Sequence, residues 1–155
     1  MHAPIREKRL TMRALGHWRD AQGERLFPRL ADIDPVRLGD DWHNCLLLRL
    51  ATPVERSRFL HVGRQLCVAA GAPLEGRCLE ECPPQTVLAQ AASYVAAVID
   101  RRVPVSIGGT TLHEGVQVLY RSILTPLSED GTTIDAIFGA ANYRVAPASD
   151  EGVPP

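Results

Sequence analysis

Lysine is almost missing from this sequence: Lys8 is the only one, although lysine and arginine together number 17. The basic charge is therefore arginine, as expected of GC-rich coding, and this says little about mechanism. Long apolar runs are also missing. No stretch approaches the ~18 consecutive apolar residues that a bilayer-spanning helix needs, so no membrane span is expected. Residues 1–8 are charged but do not lead into an apolar signal core, so no secretory signal is read and a cytoplasmic location is expected. Excess charge of either sign is absent. With a net charge of −1, a broad basic footprint for nucleic acid or anionic lipid is excluded. Enzyme signatures are absent too: there is no phosphate-binding glycine loop, no G-x-S-x-G elbow and no H-E-x-x-H pair. No catalytic residues are assigned, and the chain is read as not an enzyme.

What is present suits one globular domain. Hydrophobic residues make up 45% of the 155 and charged residues 23%, enough to build a single sizeable core. Cys45, Cys67, Cys78 and Cys82 are read as free thiols, because such a core needs no disulfide staples in a reducing compartment. Cys78 and Cys82 lack both a second zinc half-site and the C-x-x-C spacing of thiol oxidoreductases. No metal site is assigned.

Periodicity places a helix over 5–22, with Leu10, Ala14, Trp18 and Ala21 on one face and Gly23 as its C-cap. Asp34 is a candidate N-cap with Pro35 at the first helical position. Strands are expected at 45–50 and 58–62. A short helix over 64–70 is stopped by Gly71. One long helix is expected over 85–101, carrying Val87, Leu88, Ala91, Val95 and Val98. Three strands follow: 104–107 leading into a turn at Gly108–Gly109, 115–127, and 133–145 after a hairpin turn at Asp130–Gly131. Residues 146–155 are rich in Pro, Gly and acid and are read as a disordered tail. Two strands, a helical middle and three strands give an α+β fold: one five-stranded antiparallel sheet, helices on one face, and an extra N-terminal helix.

Four segments carry a family resemblance. Trp18 followed by Phe27-Pro-Arg-Leu-Ala-Asp-Ile-Asp-Pro35 is similar to a tryptophan and then "P-x-R-A-D-I-D-P". Phe59-Leu-His-Val-Gly63-Arg is similar to "F-R-Y-R-L-V-G-T", with Leu60 and His61 departing from the pattern. Gly71-Ala-Pro-Leu-Glu-Gly-Arg77 is similar to "G-x-D-L-T-G-R", and Leu124-Thr-Pro-Leu-Ser-Glu-Asp-Gly131 to "L-P-L-S-D-D-G". Spanning about 15–145 in order, these segments resemble a bacterial, alphaproteobacterial-type family of stand-alone PAS domain proteins.

The resemblance implies the PAS fold over 25–145 and a sensory or regulatory role in signal transduction. Residues 1–24 stand outside as an N-terminal helix. No kinase-like, cyclase-like or helix-turn-helix output segment is read, so the expected output is contact with a regulatory protein, gated by a small-molecule ligand if one binds. Candidate ligand-binding residues are His61, Arg77, Tyr120 and Arg121. An inward arginine suits a carboxylate or phosphate, and His61 is the candidate axial ligand of a haem-binding alternative. The plainer readings are a strand histidine and structural ion pairs to Asp32 or Asp34. No cofactor is required by the sequence: the helix 85–101 has no histidine for haem, and Asn44-Cys45-Leu46 lacks the residues that follow a flavin-reactive cysteine. The face Leu10, Ala14, Trp18, Ala21 is the candidate homodimer surface. A cavity enzyme, the remaining alternative, needs a buried carboxylate from Glu80, Glu81 or Asp100.

Overall fold

The computed structural model describes residues 9–146. The expected start of the first helix and the tail from 147 onward lie outside the described residues. Helix α1 (Leu10–Gln22) ends at Gly23, whose φ of 58° is the positive value a glycine cap supplies and whose N–H reaches the Arg19 carbonyl. Helix α2 (Pro35–Leu38) starts as read, with the Asp34 carboxylate accepting from the Val36 N–H at 3.0 Å. Strands β1 (Cys45–Arg49) and β2 (Arg58–Val62) follow, then α3 (Arg64–Ala70), closed by left-handed Gly71.

The long helix expected over 85–101 is two helices, α4 (Val87–Ala92) and α5 (Val95–Arg101). The break has a local cause. The Ser93 hydroxyl donates to the Gln90 carbonyl at 2.6 Å, and Tyr94 closes a tighter turn onto Ala91. Thr86 caps α4 by accepting from the Ala89 N–H.

Strand β3 (Val105–His113) runs straight through Gly108–Gly109, where a turn was expected. The turn comes later, at Glu114 and Gly115, with φ of 53° and 79°. Two consecutive positive φ values between the paired His113 and Val116 make the two-residue turn that suits a twisted hairpin. Gly109 stays in the strand because Tyr120 lies across it, its hydroxyl 3.1 Å from where a β-carbon would stand. Strand β4 (Val116–Leu127) then passes to β5 (Ala136–Val145) through residues 128–135. That loop is longer than the expected hairpin turn. It is held by the Asp130 carboxylate, which accepts from the Thr132 and Thr133 N–H groups at 2.8 Å.

The sheet order is β2-β1-β5-β4-β3, antiparallel throughout. Alternation along the strands gives it two faces. The inner face carries Leu46 and Leu48 of β1, Tyr120, Ser122 and Leu124 of β4, and Ile137, Gly139 and Ala141 of β5. Helices α3–α5 cover it with Leu66, Leu88, Val95 and Val98, all at most 2% exposed. The outer face carries Leu47, Arg121, Ile123, Thr125, Phe138, Ala140 and Arg144.

Helix α1 lies on the outer face. Its His17 ring meets Phe138 edge-on at 6.0 Å, and its Trp18 indole N–H donates to the Pro126 carbonyl at 2.9 Å. Arg13 clamps it to the turn Gly39–Asn44 through a two-pronged pair with Asp41 at 2.8 and 2.9 Å. The dimerisation reading of this helix is thereby corrected. Leu10, Ala14 and Trp18 are buried against the protein's own sheet and Ala21 packs beside them, because covering Phe138 and Pro126 removes the same apolar stripe from water.

Candidate functional site

The four candidate ligand residues do not converge. His61 pairs in register with Leu47, which pairs with Phe138, so it belongs to the side of the sheet that α1 occupies, not to the inner face. Its ring stacks on Trp42 with centroids 3.8 Å apart and planes 8° from parallel. Its Nε2 donates to the Trp42 carbonyl at 3.1 Å, and Nδ1 lies 3.3 Å from a Glu75 carboxylate oxygen. Both ring nitrogens face protein atoms, so the ring is a wedge between β2 and the turn Gly39–Asn44. The haem-ligand alternative for His61 is corrected on the same ground.

Arg77 is also not inward. It sits exposed in the loop after Gly76 and pairs with Glu81 at 3.3 Å, not with Asp32 or Asp34. Asp32 instead takes Arg25 at 2.6 Å, and the Arg29 N–H and this guanidinium hold its carboxyl below the ordinary carboxylate range. Tyr120 and Arg121 are consecutive and therefore point to opposite faces. Tyr120 is buried on the inner face beneath Gly109, where burial, with Tyr94 adding to it, pushes its phenol pKa up. Arg121 stands exposed on the outer face.

None of the carboxylates proposed for a cavity enzyme is buried. Glu80, Glu81 and Asp100 are all exposed. Glu81 accepts from the Cys78 N–H at 2.7 Å, and that bond followed by Arg77 keeps its carboxyl low. The cysteines are spread out. Buried Cys45 donates to the Asp41 carbonyl at 3.2 Å, and desolvation raises its thiol pKa well above the ordinary value. Burial also raises that of Cys82, which lies 3.7 Å from the Thr86 hydroxyl. The thiolate is the nucleophilic form, so neither is activated.

A groove that the sequence reading missed lies on the outer face. It has a volume of about 720 Å³ and is formed where α1 stops short of β3. Its floor is Gly108 and Thr110 of β3, Arg121 of β4 and Asn142 and Arg144 of β5, and its wall is Arg9, Thr11 and Met12 at the start of α1. Gly108 lies beneath Arg121, where a β-carbon would stand in ordinary contact, 3.8 Å from the arginine stem. Toward the hairpin end of the sheet Leu112 is 61% exposed on the outer face, whereas Val116 and Val145, 44 and 61% exposed, belong to the other face by register. The signal in the sequence was Arg121 two residues from Leu119 on an alternating strand, but the partners Asn142 and Arg144 needed the register of β5.

The fold and groove can now be set beside known proteins. The profile of the PAS domain family matches residues 6–142. The chain belongs to the PAS domain family. A sequence comparison with curated proteins gives no match. Among solved structures, the PAS domain of Bordetella pertussis BvgS is similar at 13% identity with a TM-score of 0.50, covering 70% of this chain and 81% of that one. The LOV domain of the blue-light activated histidine kinase EL346 from Erythrobacter litoralis gives 12% identity and a TM-score of 0.46, over 66% of this chain and 95% of that one. The N-terminal domain of a diguanylate cyclase with a PAS/PAC sensor from Marinobacter aquaeolei gives 15% and 0.44, over 63% and 93%. PAS domains are the sensory fold of signalling proteins. The PAS domain part of the resemblance read from Trp18, Phe59, Gly71 and Leu124 onward agrees with this.

Proposed function

We propose that this PAS domain is a regulatory docking module without catalytic activity of its own, and that the uncovered part of its outer sheet face receives a protein partner. One observation carries the reading. The inner face is packed with large apolar side chains, whereas the outer face keeps an open groove, with exposed Leu112 on the same face toward the hairpin end of the sheet. The test is capture from native lysate with the full chain and with Leu112→Asp and Thr110→Asp, which alter only exposed positions of the outer face. A partner held by the wild type and lost by both variants is the expected result. Equal capture by all three would refute the docking face.

A second reading, gating by a small molecule on the inner face, is favoured by Ser122. Its hydroxyl is fully buried and has no hydrogen-bond partner among the described residues. Such a group costs about 1–3 kcal/mol unless something satisfies it. Ser122→Ala discriminates. If the hydroxyl serves a ligand, the variant loses the mass shift of a co-purified molecule in native mass spectrometry. If it serves none, the variant gains stability and binds nothing less.

A further inference from the structure

Two guanidinium groups of the sheet, Arg121 and Arg144, line the outer groove, and among the described residues no Asp or Glu does. Arg13, Arg25, Arg37 and Arg77 are paired, with Asp41, Asp32, Asp20 and Glu81. Neither Arg121 nor Arg144 forms an ion pair among the described residues. Their placement is unfavourable in isolation. Arg121 lies opposite Asn142, and Arg144 is two residues further along β5 on the same face. That makes them diagonal neighbours with backbones ~7–8 Å apart, close enough for like charges to repel. Helix α1 adds to the field, because its first turn points its positive end at the groove and carries no acidic residue. Two neighbouring arginines without an ion pair among the described residues, in a chain whose net charge is −1, suit an anion from outside.

We propose that the groove binds an acidic, extended segment of the partner protein, with two carboxylates paired to Arg121 and Arg144. This rests on the docking reading above and names the partner's chemistry. The spacing supports it: alternate side chains of an extended peptide lie on one side ~7 Å apart, matching the diagonal of the two arginines. Each planar guanidinium takes a carboxylate two-pronged. Asn142, between them in register, offers an amide to the peptide backbone, and the Thr110 hydroxyl a further polar contact. Open, polar walls suit a peptide better than a metabolite, which prefers an enclosed and mostly apolar site.

The experiment uses the full chain and a labelled peptide of alternating glutamate and threonine, read by fluorescence anisotropy at low and high salt. Binding is expected to weaken with salt. It is expected to fall roughly tenfold or more in Arg121→Ala/Arg144→Ala. Arg121→Lys/Arg144→Lys is expected to fall in between, keeping charge but losing the fork. Arg77→Ala, beside β2 at the far edge of the sheet, is expected to bind as the wild type does. Equal binding by the double alanine variant overturns the proposal, as does stronger binding of duplex DNA or of phosphatidylserine vesicles than of the peptide. The two levels separate. If lysate capture is lost in Leu112→Asp but kept in Arg121→Ala/Arg144→Ala, docking stands and the acidic segment does not.

Discussion

Replacing Trp18 with phenylalanine tests whether α1 belongs to the domain or to a second copy. In the structure, the indole N–H donates to the Pro126 carbonyl inside the core, and Trp18 is 5% exposed. Phenylalanine keeps an aromatic ring there but removes the donor. A buried carbonyl left without that partner costs about 1–3 kcal/mol. The smaller ring also leaves roughly 40 Å² of apolar surface uncovered, about 1 kcal/mol at ~25 cal/mol/Å². The sum is about 2–4 kcal/mol. With a urea slope near ~2 kcal/mol/M for a domain of this size, the unfolding midpoint is expected to fall by about 1–2 M. Trp42 remains as the fluorescence reporter. Light scattering of the same samples should show one unchanged mass for wild type and variant. A midpoint that stays put while the mass falls would mean that Trp18 faces a second copy, and the intramolecular packing argument would fail.

Two further outcomes follow from the core. Gly139→Ala is expected to destabilise by about 1–2 kcal/mol, although alanine in a strand normally gains roughly 0.5–1 kcal/mol over glycine. The added methyl would stand 2.7 Å from a Leu124 methyl and 3.2 Å from the Leu46 side chain. Calorimetry showing a raised melting temperature would contradict this. His17 sets a pH dependence. Its Nε2 accepts the Asp34 N–H at 3.0 Å, so the folded state holds it neutral; burial and then Arg37 lower its pKa from 6.5, against the opposing pull of Asp34 and Asp20. The unfolded chain therefore binds more protons just below 6.5, and stability rises with pH in that window. The contribution is complete above about 6.5 and is lost as pH falls toward the depressed folded value. Urea midpoints across that range should slope less in His17→Gln, whose amide still accepts the same N–H. An unchanged slope would assign the pH dependence elsewhere.

The sequence was most informative where a local rule decides the outcome. Asp34-Pro35, Gly23 and Gly71 end or begin helices by conformational preference alone, and all three do so as read. Strand β2 was read over 58–62 and matches at both ends. Reading failed where a distant partner decides. Gly108–Gly109 looks like a turn in isolation, yet Tyr120 across the ladder covers Gly109 and holds the pair in β3. Val87 to Arg101 has an unbroken apolar stripe, and only the Ser93 hydroxyl bond to Gln90 reveals the break. His61 was placed by strand position near a chamber, but the side it occupies depends on the register between β2 and β1, which no single strand encodes.

The functional site shows the same limit more sharply. Tyr120 and Arg121 were both named as ligand residues, yet adjacency on a strand is what separates them. One enters the inner core and the other the outer groove. Ser122 follows and returns to the inner face with its unpartnered hydroxyl. Three consecutive residues of β4 thus belong alternately to the two candidate sites. A shift of β4 that satisfies Ser122 must carry Arg121 with it, since the intervening backbone has only two soft torsions per residue. If a ligand acts at Ser122 and a peptide docks at Arg121, one strand links the two. Peptide affinity measured in Ser122→Ala separates them: unchanged affinity with gained stability leaves docking as the function, whereas changed affinity makes the inner face its regulator.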